Sequence, residues 1–140
     1  MPAEQVWWAK ANECYLRMTT QNVQKPITKE MVIFTRTYDF LTWLVPATNH
    51  FPRAHRQTVT RRLLDAAFDL RERLEEANLR YGAARLERLL LADDALARVR
   101  VYLRLITQWG WFSARQYEHV AAMVTEIGRL LGGWKNATEQ

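Results

Sequence analysis

The sequence predicts an all-α protein, namely an up-down-up-down four-helix bundle with an N-terminal extension. Apolar residues recur at intervals of three and four residues in four successive segments, which is the pattern of amphipathic helices. Glycine and proline are few, at five and four of 140 residues, so the chain lacks the frequent turns of a β protein. The connections between the segments are short, which makes consecutive helices antiparallel neighbours. The length suits one domain.

The first helix is predicted to begin near Thr28, a plausible N-cap, and to end at about Val45, because Pro46 follows. Its spacing predicts an inward face made of Phe34, Tyr38, Leu41 and Val45.

The second and third helices are predicted over residues 57–79 and 84–109. Tyr81 and Gly82 separate them, and Gly110 ends the third. The inward residues expected on the second helix are Val59, Leu63, Ala66, Leu70, Leu74 and Ala77. Those expected on the third helix are Leu86, Leu89, Leu96, Val99, Leu103 and Ile106.

The fourth helix is predicted over residues 114–131. Ser113 and Gln116 have the spacing of a capping box, in which each side chain bonds the other residue's backbone N–H. Gly132 and Gly133 are expected to close the helix in a left-handed conformation, with Arg129 in its last turn. The inward residues expected are Tyr117, Val120, Val124, Ile127 and Leu131.

The residues with catalytic potential do not form a recognisable active site. Glu118 and His119 are adjacent, so on a helix they diverge by about 100° and cannot act as a pair. No Glu precedes a His by three residues, as a di-iron bundle would require. The P-loop, nucleophile-elbow, zinc-protease and Cys-x-x-Cys motifs are all missing from the sequence. We therefore expect no enzyme activity, no cofactor and no metal.

The sequence points to the cytoplasm by default. Cys14 is the only cysteine, so an internal disulfide cannot form. No apolar run approaches the roughly 18 residues of a membrane span. The N-terminus carries an acidic residue where a signal peptide would carry a basic one.

The charge of the chain is positive and comes mainly from arginine. The net charge is +5, and 16 of the 20 basic residues are Arg. Arginine presents a planar fork of donors that suits phosphate and carboxylate groups. A helical protein encoded by a GC-rich genome would have the same composition, so the positions of the arginines decide what they indicate.

Two stretches, residues 40–64 and 95–117, contain no acidic residue. The predicted topology brings both to the same end of the bundle, since the second helix begins where the first ends and the fourth begins where the third ends. An anionic partner, either nucleic acid or an acidic protein face, would explain this clustering. The candidate binding residues are Arg53, Arg56, Arg61, Arg62, Arg98, Arg100, Arg104 and Arg115.

The polarity of the second helix adds to this expectation. Arg56, Arg61 and Arg62 lie at or near its predicted N-terminus, where a cation is disfavoured by roughly 0.3–1 kcal/mol. Arg100 and Arg104 lie toward a C-terminus, where the helix dipole alone accounts for them. Four aromatic residues are nearby and could stack on bases or belong to the core, and for Trp109 and Phe112 we expect the core: Tyr102, Trp109, Trp111 and Phe112.

A second set of apolar residues lies beside the core stripes of the second and third helices. It indicates self-association, although a wide core face would give the same pattern. The candidate oligomer-interface residues are Leu64, Phe68, Val101 and Leu105.

Two stretches of the chain resemble a known family. They read "YDFLTWLVPATNHFPRAHRQTVTRRL" and "SARQYEHVAAMVTEIGRLLGGWKN". Both look like Avd, the accessory variability protein of bacterial diversity-generating retroelements. They look more loosely like the four-helix proteins encoded in ribosomal RNA intervening sequences. The Phe-Pro-Arg-x-x-Arg element falls at residues 51–56. The Gln-Tyr-Glu-His and Glu-Ile-Gly-Arg-x-Leu-Gly-Gly-Trp elements fall at residues 116–119 and 126–134. The resemblance covers about residues 31–136.

This resemblance implies a cytoplasmic four-helix bundle that assembles into a homopentameric ring. It implies binding to the retroelement's reverse transcriptase and to its template-repeat RNA and cDNA, in support of mutagenic retrohoming. The protein itself would not be the polymerase. The alternative interpretation is a structural oligomeric scaffold that binds an acidic protein partner without nucleic acid.

Residues 1–27 form the N-terminal extension in this division of the chain, residues 28–136 the bundle and residues 137–140 a tail. The polar stretch "TTQNVQKPI" reads as a linker. Before it, apolar residues at helical spacing indicate a short amphipathic helix that docks on the bundle or on the polymerase. Alternatively, the start lies at Met31. The apolar residues of the extension are Val6, Trp7, Ala11, Cys14, Tyr15 and Met18.

Overall fold

The fold is a bundle of four antiparallel helices, seen in a computed structural model that describes residues 29–140. The helices are α1 (Lys29–Ala47), α2 (Arg61–Asn78), α3 (Gly82–Gln108) and α4 (Ala114–Glu139). Helix α2 packs on α3, α3 on α4, and α4 on α1, so the helices close around one core. No strand occurs among the described residues. The all-α four-helix bundle predicted from the sequence is therefore confirmed.

The core contains most of the residues that the sequence predicts to face inward on the last three helices, whereas Val59, Leu86 and Tyr117 are only half-buried. Leu63, Leu70 and Leu74 of α2 are fully buried, as are Leu89, Leu96 and Ile106 of α3. Val120, Ile127 and Leu131 of α4 complete this set. The predicted capping box is also present, since the Ser113 hydroxyl accepts from the Gln116 N–H at 3.1 Å and the Gln116 amide oxygen accepts from the Ser113 N–H at 2.9 Å.

The inward face predicted for the first helix is partly wrong. Tyr38 is 65% exposed and Val45 is 36% exposed, whereas Ile33, Phe40 and Leu44 are buried. The buried line of α1 includes Thr37, whose hydroxyl donates to the carbonyls of Ile33 (2.9 Å) and Phe34 (3.1 Å). Because a polar residue lies in the middle of the true stripe, the neighbouring apolar stripe looks more regular in the sequence.

The predicted end of the fourth helix is also wrong. Gly132 and Gly133 lie inside α4, which continues to Glu139 and so includes most of the predicted tail. Among the described residues, positive φ angles occur only at Gly82 (57°) and Gly110 (79°). Trp134 is buried in the continued helix, and its ring lies 6.1 Å from that of Phe34. Tertiary contacts beyond the glycines therefore extend the helix.

A side-chain contact between helices supports this extension. The Lys135 ammonium donates to the Asp93 carboxylate at 3.2 Å and so ties the last turns of α4 to α3. The predicted N-cap Thr28 and the extension 1–27 lie outside the described residues.

Candidate nucleic-acid interface

The connection between α1 and α2 is a folded segment, residues 48–60, that anchors one end of the bundle. It contains two 3-10 turns, Thr48–His50 and Arg53–His55, and a π-helical turn, Arg56–Thr60, which leads directly into α2. Phe51 fixes the segment, because its buried ring packs 5.1 Å from Phe112 and 5.3 Å from Trp111. The position of this loop is therefore set by the α3–α4 turn, about 60 residues later in the chain.

Four candidate arginines lie on this loop and the start of α2, and all four are exposed. Arg53, Arg56 and Arg62 form no ion pair with any carboxylate of residues 32–140. Arg61 lies 3.8 Å from Asp65, with both side chains 67% exposed, so the pair contributes little to stability. The arginines of the loop are consequently available to an external anion.

The π-helical turn bears on the argument that cations are disfavoured at the N-terminus of the second helix. Helical backbone begins near Arg56 rather than at Arg61, since residues 56–60 already form a wide helical turn. The dipole effect fades within the first turn. It therefore applies to Arg56, while Arg61 and Arg62 lie a full turn further along. The unfavourable effect of the helix dipole is therefore weaker at Arg61 and Arg62 than at Arg56, and all three side chains are exposed.

The other four candidate arginines lie at different depths along the bundle. Arg104 is in the last turns of α3 and Arg115 is in the first turn of α4, so both lie at the loop end. Arg98 and Arg100 lie about 15 and 12 Å before the end of α3, at 1.5 Å per residue. Arg98 approaches Asp69 of α2 at 3.5 Å, and Arg100 lies over Gly128 of α4. The structure thus brings six of the eight to one end.

An exposed aromatic cluster lies at the same end. Phe112 is buried as predicted, but Trp109 is 49% exposed, so its predicted place in the core is wrong. The Trp109 ring lies 5.3 Å from that of Trp111, and the His55 ring stacks on Trp111 at 5.6 Å with an interplanar angle of 21°. His55, Val59, Trp109 and Trp111 line a pocket of about 340 Å³.

The sequence indicated that Trp109 and Trp111 could stack on bases, but it did not place His55 beside them or predict a pocket. His55 and Trp111 are 56 positions apart, and neither belongs to a helical stripe. Their contact depends on how Phe51 docks the loop against the α3–α4 turn. The available signal was weaker, namely a histidine between two arginines and a pair of tryptophans that share acid-free stretches.

The carboxylates with the clearest electrostatic partners lie away from the arginine-rich end. Glu76, near the end of α2, accepts two hydrogen bonds from Arg73 at 2.7 and 2.8 Å and lies 3.3 Å from Arg88. The hydrogen bond from Arg73 is the main reason why the pKa of Glu76 is lowered. Glu126 of α4 has a lowered pKa because Arg129 donates to it at 2.7 Å. At the loop end, by contrast, five arginines have no ion-pair partner among residues 32–140: Arg53, Arg56, Arg62, Arg104 and Arg115.

The candidate oligomer-interface residues fall on two different faces. Phe68 is 43% exposed, Val101 is 44% exposed and Leu105 is 38% exposed, while Leu64 is half-buried. Leu64 and Phe68 share the side of α2 that bears Arg71, which donates to the Phe34 carbonyl of α1 at 2.6 Å. Val101 and Leu105 share a face of α3 with Arg98. The bundle therefore has two apolar patches rather than one stripe.

Two further properties concern the described part of the chain. No helix within residues 29–140 carries an apolar run long enough to cross a lipid bilayer. Among the same residues, His, Cys, Asp and Glu side chains do not gather in a group of three that would hold a metal ion.

Comparison with known proteins now identifies the family. A profile of the bAvd-like family matches residues 31–138, which is most of the chain. The chain belongs to the bAvd-like family. The resemblance to Avd is therefore confirmed, and the matched range begins at Met31, within α1. The protein is accordingly an accessory protein of the bAvd type. A separate comparison with curated proteins found no match.

A solved structure shares the fold of this bAvd-like protein. It is a Bacteroides thetaiotaomicron protein of unknown function from the S23 ribosomal protein family. The two chains superpose with a TM-score of 0.71 at 18% sequence identity, over 78% of this chain and 99% of the other. At this identity the similarity establishes the common fold alone.

Proposed function

We propose that this bAvd-like protein is a non-catalytic subunit that binds the reverse transcriptase and the template-repeat RNA of a diversity-generating retroelement. In that role it supports mutagenic cDNA synthesis, and it acts in the cytoplasm. The observation that carries the proposal is the group of exposed arginines at one end of a bAvd-like bundle that have no ion-pair partner among residues 32–140. The sequence resemblance to Avd supplies the identity of the two partners.

The arginine-rich end suits the phosphate backbone of RNA. Arg53, Arg56 and Arg62 project from the loop and the start of α2, and Arg104 and Arg115 come from the neighbouring helix ends. Guanidinium groups bind phosphate through parallel hydrogen bonds. Their spread over three segments of the bundle favours an extended polyanion over a single small anion.

The dependence of binding on salt tests the proposal directly. If the RNA contacts about five phosphates, log affinity should fall with log salt concentration with a slope of about −3.5 to −4.5. Filter binding or fluorescence anisotropy with template-repeat RNA would measure it. Co-purification with the reverse transcriptase encoded beside the gene tests the second partner. A protein that purifies with the polymerase but binds no RNA at low salt would contradict the RNA part of the proposal.

The same proposal includes a homo-oligomer, and a pentameric ring is the form that the Avd resemblance implies. A ring needs two different patches on each subunit, one meeting the other on the neighbouring subunit. The patch of Leu64 and Phe68 and the patch of Val101 and Leu105 lie on different faces, as such an arrangement requires. Both patches are apolar and both are at least partly exposed.

Charged substitutions in the two patches are expected to dismantle the ring. Phe68→Glu and Val101→Glu should each yield a folded chain of 16.5 kDa in light scattering. Mixing the two variants should restore one intact contact per pair and so give dimers of twice that mass. A wild-type chain that is monomeric at micromolar concentration would contradict the assembly. A mixture that stays monomeric while circular dichroism shows both variants folded would contradict the pairing of these patches.

A further inference from the structure

Core packing does not explain the exposure of the aromatic cluster beside the loop of residues 48–60. Tryptophan side chains bury about 150–250 Å² each when they enter a core. Trp109 leaves about half of its surface in solvent, although the turn that carries it also carries the buried Phe112. An aromatic ring exposed in this way, next to a pocket, is available for a ligand.

The geometry of the pocket favours a flat ligand. The Trp111 ring contacts both other rings of the pocket, since His55 stacks nearly parallel on it and Trp109 is tilted against it at 52°. Val59, one turn after His55, closes the side. The volume of about 340 Å³ lies at the small end of ligand pockets, which span roughly 300–1,000 Å³. A volume of this size is enough for one ring system.

The surroundings of the pocket favour a ligand with negative charge on either side of the ring. Arg53 lies in the same 3-10 turn as His55, and Arg56 follows it. Neither forms an ion pair with a carboxylate of residues 32–140. An unpaired nucleotide has this combination of a flat base and flanking phosphates. Proteins that bind single strands commonly combine stacking aromatics with a basic track.

We propose that His55, Val59, Trp109 and Trp111 form a base pocket that holds one unpaired base of the bound RNA. The base stacks on Trp109, and the phosphates on its two sides contact Arg53 and Arg56. This inference rests on the proposed RNA binding and adds a site within it. The bound RNA is therefore single-stranded, or has a base turned out of its helix, where it meets the α3–α4 turn.

Replacing Trp109 by leucine tests the base pocket. Trp109→Leu keeps an apolar side chain but removes the aromatic face, so affinity for a single-stranded adenine oligonucleotide is expected to fall about tenfold. The slope of log affinity against log salt should stay at its wild-type value, because no charge is lost. Trp109→Phe, which keeps an aromatic ring, should retain most of the affinity. Tyr81→Leu is the matched control, since Tyr81 is 82% exposed at the opposite end.

An abasic oligonucleotide separates stacking from other effects. The wild-type chain should bind a strand that lacks all its bases about tenfold more weakly than the adenine strand. Trp109→Leu should bind the two strands nearly equally. Equal affinities of wild type and Trp109→Leu for the adenine strand, with the salt slope intact, would overturn the base pocket while leaving the proposed RNA binding in place.

Two other results would also overturn the base pocket. If Trp109→Leu binds RNA normally but no longer purifies with the reverse transcriptase, the occupant is a protein side chain. If the wild-type chain binds neither strand at low salt, the proposed RNA binding fails and the base pocket fails with it.

Discussion

Replacement of Arg53 and Arg56 by glutamine is expected to weaken RNA binding about tenfold at physiological ionic strength. The slope of log affinity against log salt should become shallower by about 1.4, since each phosphate contact on a single strand contributes about 0.7. Both side chains are exposed and lack ion-pair partners among residues 32–140. The fold should therefore survive, and circular dichroism should show an unchanged melting temperature.

A second double variant controls for net charge. The variant Arg36→Gln with Arg129→Gln also removes two positive charges, one from α1 and one from α4, at sites away from the loop. Arg129 pairs with Glu126 at 2.7 Å, but the arginine is 69% exposed, so its loss costs little stability. This control should bind RNA nearly as the wild type does. Equal loss in both double variants would mean that net charge, and not the loop, determines binding.

The two arginine experiments and the Trp109 experiment separate three contributions to binding, namely phosphate contacts of the loop, stacking on a base and net charge. Loss of Arg53 and Arg56 should change both affinity and salt slope, because counterions are released from the phosphates that they contact. Loss of Trp109 should change affinity alone. A variant that changes neither quantity lies outside the contact. A shallower slope assigns the loop arginines to the RNA backbone, and a loss of affinity at an unchanged slope assigns Trp109 to a base.

The sequence predicts three of the four helices well because their core stripes are uninterrupted. In α2, charged residues flank Leu70 and Leu74 on both sides, so in this part of the helix only one face is apolar enough to be buried. In α1, Thr37 interrupts the buried line, and Tyr38 supplies a false member of the neighbouring line. A single buried threonine that bonds its own helix backbone is enough to shift the predicted face.

The candidate site is less predictable because it depends on contacts between distant segments. Charge alone indicates which stretches carry the arginines, and topology places them near one end. The exposure of Trp109 and the stacking of His55 on Trp111 follow from the docking of Phe51, which helical periodicity does not describe. The same limit applies to α4, where burial of Trp134 outweighs the usual role of glycine as a helix stop.

Replacing both Gly132 and Gly133 by alanine is expected to stabilise the protein by about 2 kcal/mol. Glycine inside a helix costs about 1 kcal/mol relative to alanine, because it loses more backbone freedom on folding. A Cβ atom at either position would meet no atom within 4 Å outside the backbone of α4. Thermal unfolding should show a melting temperature higher by about 8 °C, at about 4 °C per kcal/mol for a chain of this length.

Two other glycines serve as controls for this prediction. At Gly110 the φ angle is 79°, a left-handed conformation that disfavours an L side chain, so Gly110→Ala should lower the melting temperature. At Gly128 a Cβ atom would meet the Arg100 guanidinium, which must move aside. Gly128→Ala should therefore raise the melting temperature less than Gly132→Ala or Gly133→Ala does. If the helix instead ended at Gly132 and Gly133 in a left-handed turn, their alanine variants would be destabilised in the manner of Gly110→Ala. The sign of the temperature shift therefore decides between a helix that ends at residue 131 and one that continues past the buried Trp134.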